Sequence, residues 1–296
     1  MKNRAIRSNI ILLITAAIWG FAFVAQRVGM DFVGPYTFNA VRFILGSMSL
    51  IPIIFLFKDN PKKGSEKEVI KAGIISGILL FLASSFQQVG LQETTAGKAA
   101  FITGLYIVIV PMIGVFLNRH ININSFIGAI VATVGLYLLS IKNGISMSYS
   151  DFLELISAFL FASQILVIDH FVNRVDSIKL AFYQFVTCAV FSTIIALLME
   201  RIDVHGIVQA SVPILYGGIM SVGIAYTLQI LGQKGADPTY ASIIMSMETV
   251  FAAIGGFLIL GETMGTREFI GCVLMLTGAI LSQVKIFKNK STVLNH

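Results

Sequence analysis

Ten continuous apolar stretches constrain this chain more than any other feature, because each is about as long as a helix that crosses a bilayer. A helix needs about 20 residues to cross roughly 30 Å of hydrocarbon. The stretches are continuously apolar and about twice as long as an outer-membrane strand, so they predict helices and not a β-barrel. The predicted spans are 9–28, 36–57, 70–91, 95–117, 123–141, 151–171, 179–199, 211–233, 239–260 and 266–287.

The composition agrees with lipid as the solvent. Hydrophobic residues make up 56% and charged residues 12% of the chain, whereas soluble domains carry about 25% charged residues. The net charge of +6 comes from basic residues in short loops, which is typical of a topology signal and not of a nucleic-acid partner. Cys188 and Cys272 lie inside apolar stretches and are interpreted as small core residues, not as a disulfide or metal ligands.

The distribution of Lys and Arg predicts the orientation. With a cytoplasmic N-terminus, fifteen of the 21 basic residues fall on the inner side, and Arg42 falls within a span. Ten spans return the C-terminus to the same side. We therefore expect a multi-pass plasma-membrane protein with both termini cytoplasmic.

The two halves of the sequence match each other after a shift of 142 residues. Gln87 then meets Gln229, Gly90 meets Gly232, and further matches spread evenly along the half. Because each half has an odd number of spans, the second would enter the membrane upside down, an arrangement common in transporters. The predicted domains are two inverted five-helix repeats, 9–141 and 150–287.

Several motifs resemble the EamA-type transporters of the drug/metabolite transporter superfamily. They are Ala17-Ile18-Trp19-Gly20-Phe21 in span 1, Thr103-Gly104-Leu105-Tyr106 followed by Pro111 in span 4, and Ser246 to Ala253 running on to Leu260-Gly261-Glu262 in span 9. The order and spacing of the motifs carry the resemblance, which covers about residues 10–285.

That resemblance implies ten helices, two EamA domains and export or exchange of small solutes. The first half departs from the pattern, because Arg119-His120 stands where the second half has Gly261-Glu262. A role shared by the two loops is therefore not expected.

Polar side chains inside the spans are the candidate substrate-binding residues. Glu248 lies about nine residues into its span, where a charge is costly and usually faces a cavity or a partner. It is a candidate for binding a cationic group or exchanging a proton, the alternative being a structural hydrogen bond to another helix. Tyr106 occupies the related position in span 4 and would donate a hydrogen bond or pack as an aromatic ring.

Four more residues complete the predicted site. Trp19, the only tryptophan, is either a core filler or a cavity wall. Arg42 would snorkel outward, pair with a carboxylate substrate or pair with Glu248. Gln164 lies in the middle of its span and Tyr226 adds an aromatic lining. Gln87, Gln184 and Gln229 are better explained as hydrogen bonds between helices.

These features predict a secondary transporter of small polar or amphipathic metabolites, such as amino acids or organic cations, working by alternating access. The binding site would lie between the halves, lined by spans 1, 3, 4, 6, 8 and 9. The sequence has no phosphate-binding loop, so a gradient, for example of protons, would supply the energy. No cofactor, catalytic residue or metal is expected, and the assembly would be a monomer or homodimer. A membrane-embedded enzyme and a sensor or assembly partner without transport remain the alternatives.

Overall fold

A computed structural model describes residues 2–56, 64–94, 96–117, 123–140, 148–261 and 265–283. Regular secondary structure in these ranges is entirely helical, as predicted. The helices are α1 (Lys2–Gly29), α2 (Pro35–Leu56), α3 (Glu66–Gly90), α4 (Ala96–Gly104), α5 (Tyr106–Phe116), α6 (Ile123–Ser140), α7 (Tyr149–Phe171), α8 (Ser177–Met199), α9 (Val204–Gln209), α10 (Ser211–Leu215), a π-helical segment (Tyr216–Tyr226), α11 (Thr227–Gln233), α12 (Pro238–Met245), α13 (Glu248–Leu260) and α14 (Thr266–Gln283).

Eight helical segments within the described ranges are long and apolar enough to cross a membrane. The predicted spans 123–141 and 266–287 correspond to the shorter apolar helices Ile123–Leu138 and Phe269–Ser282. The chain is therefore an all-helical, multi-pass membrane protein. The eight segments are Ile6–Gly29, Pro35–Leu56, Glu66–Gly90, Ala96–Phe116, Tyr149–Phe171, Ser177–Met199, Ser211–Gln233 and Pro238–Ile259.

Local capping residues fix where several helices begin. Ser148 and Asp151 form a reciprocal capping box at the start of α7, which satisfies two backbone N–H groups that the first turn leaves unpaired. Asp176 accepts from two backbone N–H groups of α8, and Asp237 caps α12 directly before Pro238. These helices begin one or two residues before the apolar stretches that predicted them, because the caps are polar.

The start of α2 is capped from a distant part of the chain. The Glu200 carboxylate, just after α8, accepts from the backbone N–H groups of Tyr36 at 2.9 Å and Thr37 at 2.8 Å. It also accepts from the Thr37 hydroxyl at 2.6 Å. A negative charge at a helix N-terminus is favourable, so this contact ties α2 to α8.

Small residues allow the closest helix approaches. An added Cβ at Gly77 of α3 would lie 2.8 Å from the Gln184 carbonyl oxygen of α8. One at Gly128 of α6 would lie 2.6 Å from the Gly278 carbonyl oxygen of α14. Backbones can come this close only where a side chain is missing. Gly73 and Gly128, each followed by a second small residue four positions later in the sequence, therefore lie at helix contacts.

Helix neighbours recur between the two halves of the chain. α6 packs along α14, and α2 packs along α8. α3 packs against α7 and α8, while the segment Ser211–Gln233 packs against α1 and α2. After the 142-residue shift these are the same pairings, so each half presents its helices to the other in the same way.

Candidate substrate cavity

A cavity lies between helices of both halves of the chain. About 30 Å³ of it is open to the centre of a water molecule, and its total empty space, with open solvent included, is about 440 Å³. The predicted spans 1, 3, 4, 6, 8 and 9 all line it, and α2 contributes Arg42 in addition. The structure thus brings together all six predicted site residues, Trp19, Arg42, Tyr106, Gln164, Tyr226 and Glu248. The other lining residues are Phe23, Gln26, Gln87, Thr103, Phe161, Ile165, Ser221 and Gln229.

Two spans are interrupted at equivalent positions beside this cavity. α4 gives way to α5 at Leu105, and α12 gives way to α13 at Ser246 and Met247. The backbone N–H groups of Leu105 and Met247 each donate to the carbonyl oxygen three residues earlier, at 3.1 Å. Such tight turns inside a helix often mark hinges, and discontinuous helices build the binding sites of many transporters.

At each interruption, the first residue of the helix that follows lines the cavity. Tyr106 begins α5 and Glu248 begins α13, and the two are 142 residues apart. The Tyr106 hydroxyl donates to Glu248 Oε1 at 3.0 Å. Both side chains are buried. The two interrupted spans are therefore joined across the cavity by the pair that the repeat relates.

Arg42 is the most deeply buried charged residue of the cavity wall, with 1% of its surface exposed. Its Nη1 donates to Gln26 Oε1 at 2.7 Å. Its guanidinium also lies over the rings of Phe43 and Phe38, 5.0 Å and 5.6 Å from their centroids. Of the three expectations for Arg42, snorkelling and pairing with Glu248 are wrong: the side chain points inward, and no ion pair joins it to Glu248.

Aromatic rings form a second part of the wall. Trp19 packs against Tyr226 with ring centroids 4.7 Å apart, and its indole N–H donates to the Ser221 carbonyl oxygen at 3.4 Å. Tyr226 also packs against Phe43, 6.2 Å between centroids. Trp19 is thus part of the cavity wall, and its polar N–H has a hydrogen-bond partner.

Glutamines link the helices that surround the cavity. Gln229 Nε2 donates to Gln164 Oε1 at 3.1 Å, and Gln164 Nε2 donates to Gln184 Oε1 at 3.2 Å. The prediction of interhelical bonds for Gln184 and Gln229 agrees with these contacts. Gln164 both lines the cavity and holds three helices, α7, α8 and α11, together.

Comparison with known proteins places the chain in a family. The model of the EamA-like transporter family matches residues 6–141 and again residues 148–283. The chain belongs to the EamA-like transporter family. The resemblance to the drug/metabolite transporter superfamily is therefore confirmed.

Several relatives of this EamA-like protein carry transporter names. It is 28% identical to an uncharacterized transporter of Archaeoglobus fulgidus over 277 residues, which cover 93% of this chain and 85% of the relative. It is 22% identical to the uncharacterized transporter YoaV of Bacillus subtilis, over 92% of this chain and 95% of that one. A WAT1-related protein of Arabidopsis thaliana is 21% identical over 83% of this chain and 78% of its own length.

A solved crystal structure has the same fold. It aligns with a TM-score of 0.76 at 17% identity, over 93% of this chain and 96% of that one. The EamA-like motifs of span 1 and span 4 lie at the cavity, since Trp19, Thr103 and Tyr106 line it. The Arg119-His120 loop and Glu262 lie outside the described residues, so the departure between the two loops stays a sequence observation.

One acidic residue near the cavity of this EamA-like protein was missed by the sequence reasoning. Glu154 is fully buried, and its Oε2 accepts from the Thr103 hydroxyl at 3.0 Å. Gln87 Nε2 donates to the same Thr103 oxygen at 3.2 Å. One turn earlier on α7, Asp151 accepts from Lys98 Nζ at 2.7 Å. The sequence feature that could have identified Glu154 is its carboxylate within the predicted span 151–171. Only the packing of α3 and α4 against α7 connects it to the cavity.

Proposed function

We propose that this EamA-like protein is a secondary active transporter that moves a small polar or amphipathic solute through the central cavity by alternating access. The observation that carries the proposal is the meeting of all six predicted residues in one cavity. Amino acids and organic cations fit its mixture of aromatic rings, amide groups and single charges. The transporter names of the relatives support the same conclusion.

The architecture that we propose for this activity is two inverted repeats of five helices, 9–141 and 150–287. Support comes from the helix pairings that recur after the 142-residue shift. The shorter helices α6 and α14 would complete ten crossings. The distribution of basic residues supports cytoplasmic termini and a plasma-membrane location.

Alternating access requires parts of the wall to move against each other, and the interruptions at Leu105 and Met247 provide sites for such movement. Glu248 sits at the start of one moving half-helix and is held by Tyr106 of the other. Protonation of Glu248, or binding of a cationic group to it, would weaken or replace that hydrogen bond. We therefore assign Glu248 the coupling role, by proton or solute exchange.

The test is solute flux into proteoliposomes. Saturable uptake and counterflow are measured for amino acids and organic cations, with and without a pH gradient, for the wild type and Glu248→Gln. Glu66→Gln, at an exposed glutamate on the first turn of α3, is the matched control. We expect Glu248→Gln to lower saturable flux at least about tenfold, since a charge-assisted interaction contributes about 1.5–3 kcal/mol, and Glu66→Gln to leave it unchanged.

Saturable flux that Glu248→Gln leaves intact would refute the coupling role but not transport. Failure of every solute to cross would refute transport. If purified protein then converted a lipid substrate, the membrane-embedded enzyme would become the better explanation. Absence of both would favour a sensor or assembly partner.

A further inference from the structure

Arg42 lines the cavity, and one side of its guanidinium makes no hydrogen bond. Nη1 is occupied by Gln26, but Nε and Nη2 have no hydrogen-bond partner although both are buried. An arginine stays protonated in proteins, so this side chain places a permanent positive charge and two unsatisfied donor atoms in the wall.

The neighbours of Arg42 do not neutralise it. Gln26 is a neutral amide, and its own Nε2 is engaged with the Ala22 carbonyl oxygen at 3.2 Å. Phe38 and Phe43 offer ring faces only. No acidic side chain of the described residues forms an ion pair with Arg42. A buried charge without a counter-charge is strongly disfavoured, which makes an anionic occupant the simplest source of compensation.

The identity of the unused atoms indicates the shape of that anion. Nε and Nη2 lie on the same edge of the planar guanidinium, where their two N–H groups point in parallel. This edge matches the two oxygens of a carboxylate, which accepts such a pair of bonds with defined geometry. A dianionic phosphate would need further cations, and Arg42 is the one basic residue among the cavity-lining residues that the structure describes. Glu248 in the same wall would also repel a dianion.

We propose that the transported solute carries a carboxylate and that the Nε–Nη2 edge of Arg42 binds it. The proposal rests on the transport function proposed above and narrows its substrate class from small polar or amphipathic solutes to those that carry a carboxylate. Because Glu248 lines the same cavity without a cationic partner among the described residues, a solute with both a carboxylate and an amine would compensate both charges.

The test compares matched ligands on the purified full-length chain. L-leucine and L-phenylalanine are each measured beside their α-amides and their decarboxylated amines, with inorganic phosphate as a separate arm, by thermal stabilisation across concentration. Loss of the carboxylate removes a bidentate charge-assisted contact, so we expect the amides and amines to bind about 10- to 150-fold more weakly. Phosphate should not stabilise the protein.

Variants separate recognition from a structural role. In Arg42→Gln the amino acids should bind only as tightly as their amides, because the guanidinium edge that recognises the carboxylate is gone. Arg42→Lys keeps the positive charge but lacks the two parallel N–H groups of the guanidinium. It should therefore keep only part of the preference for the carboxylate. Arg27→Gln, which removes a half-exposed arginine paired with Asp31, is the control and should keep the full preference. If Arg42 variants do not fold, the ligand series on the wild type still decides.

Amides or amines that bind the wild type as well as the amino acids would overturn the carboxylate proposal while leaving transport in place. Preferential stabilisation by phosphate would overturn it in favour of a phosphorylated solute. If no carboxylate binds but proteoliposomes still take up amines, the proposal is wrong and the transporter stands. If nothing binds and nothing crosses, the proposed function itself fails.

Discussion

Gly20 offers the sharpest test of how closely α1 and α13 pack beside the cavity. A Cβ added at Gly20 would meet the Phe251 Cβ, and would lie 2.6 Å from the Glu248 carbonyl oxygen and 2.7 Å from the Ala252 nitrogen. Two of these three atoms are backbone, so a rotamer change cannot relieve the contact. Ordinary contacts require about 3.5–4.0 Å, so α13 must retreat by roughly 1 Å.

The expected cost of Gly20→Ala is about 1–3 kcal/mol of unfolding free energy, the usual range for an added methyl group in a tightly packed interior. The displacement would also separate Glu248 from Tyr106, so flux should fall further than stability alone explains. Gly97→Ala is the matched control, since an added Cβ there meets nothing within 4 Å. The same substitution should therefore be neutral or stabilising by up to about 1 kcal/mol.

Equilibrium unfolding in mixed detergent micelles measures the two free energies, and proteoliposome flux measures activity on the same preparations. Close packing of α1 on α13 is contradicted if the unfolding free energy of Gly20→Ala lies within about 0.5 kcal/mol of the wild-type value, or if Gly97→Ala is the more damaging change. A stable Gly20→Ala protein with normal flux would mean that α13 does not pack on α1 through this glycine.

Three further substitutions test other contacts. Tyr106→Phe removes the hydrogen bond to Glu248 and should cost about 1–3 kcal/mol in the same unfolding assay; equal stability would mean that the bond does not join the two interrupted spans. Lys98→Met leaves the buried Asp151 carboxylate without its ion pair. The unfolding free energy should fall by about 1–3 kcal/mol, a value between those of exposed and fully buried ion pairs. An unchanged unfolding free energy would contradict a stable contact between α4 and α7. Glu200→Ala removes the cap of α2 and should cost about 0.5–2 kcal/mol, detected as earlier thermal unfolding; an unchanged transition would show that water caps α2 equally well.

The helical class, the membrane environment and most helix starts follow from the sequence alone. Apolar length reports the solvent directly, because a chain in hydrocarbon must satisfy its backbone within each segment. Caps such as Asp237 before Pro238 are equally local. Six of the cavity residues were also predictable, since a polar group such as Glu248 inside an apolar span usually faces a cavity or a polar partner.

The tertiary structure decided the remaining features, because they depend on contacts far apart in the chain. The turn at Ser246 and Met247 contains neither proline nor glycine, so no local signal separates α12 from α13. Glu154 resembles any residue near a helix end until α3 and α4 bury it. For Arg42 the sequence allowed three environments, and only the packing of the helices excluded two of them: Nη1 donates to Gln26, while the buried Nε and Nη2 have no hydrogen-bond partner. Hydrophobic length encodes where a segment lies, but which polar atoms remain unsatisfied is decided only when the helices are assembled.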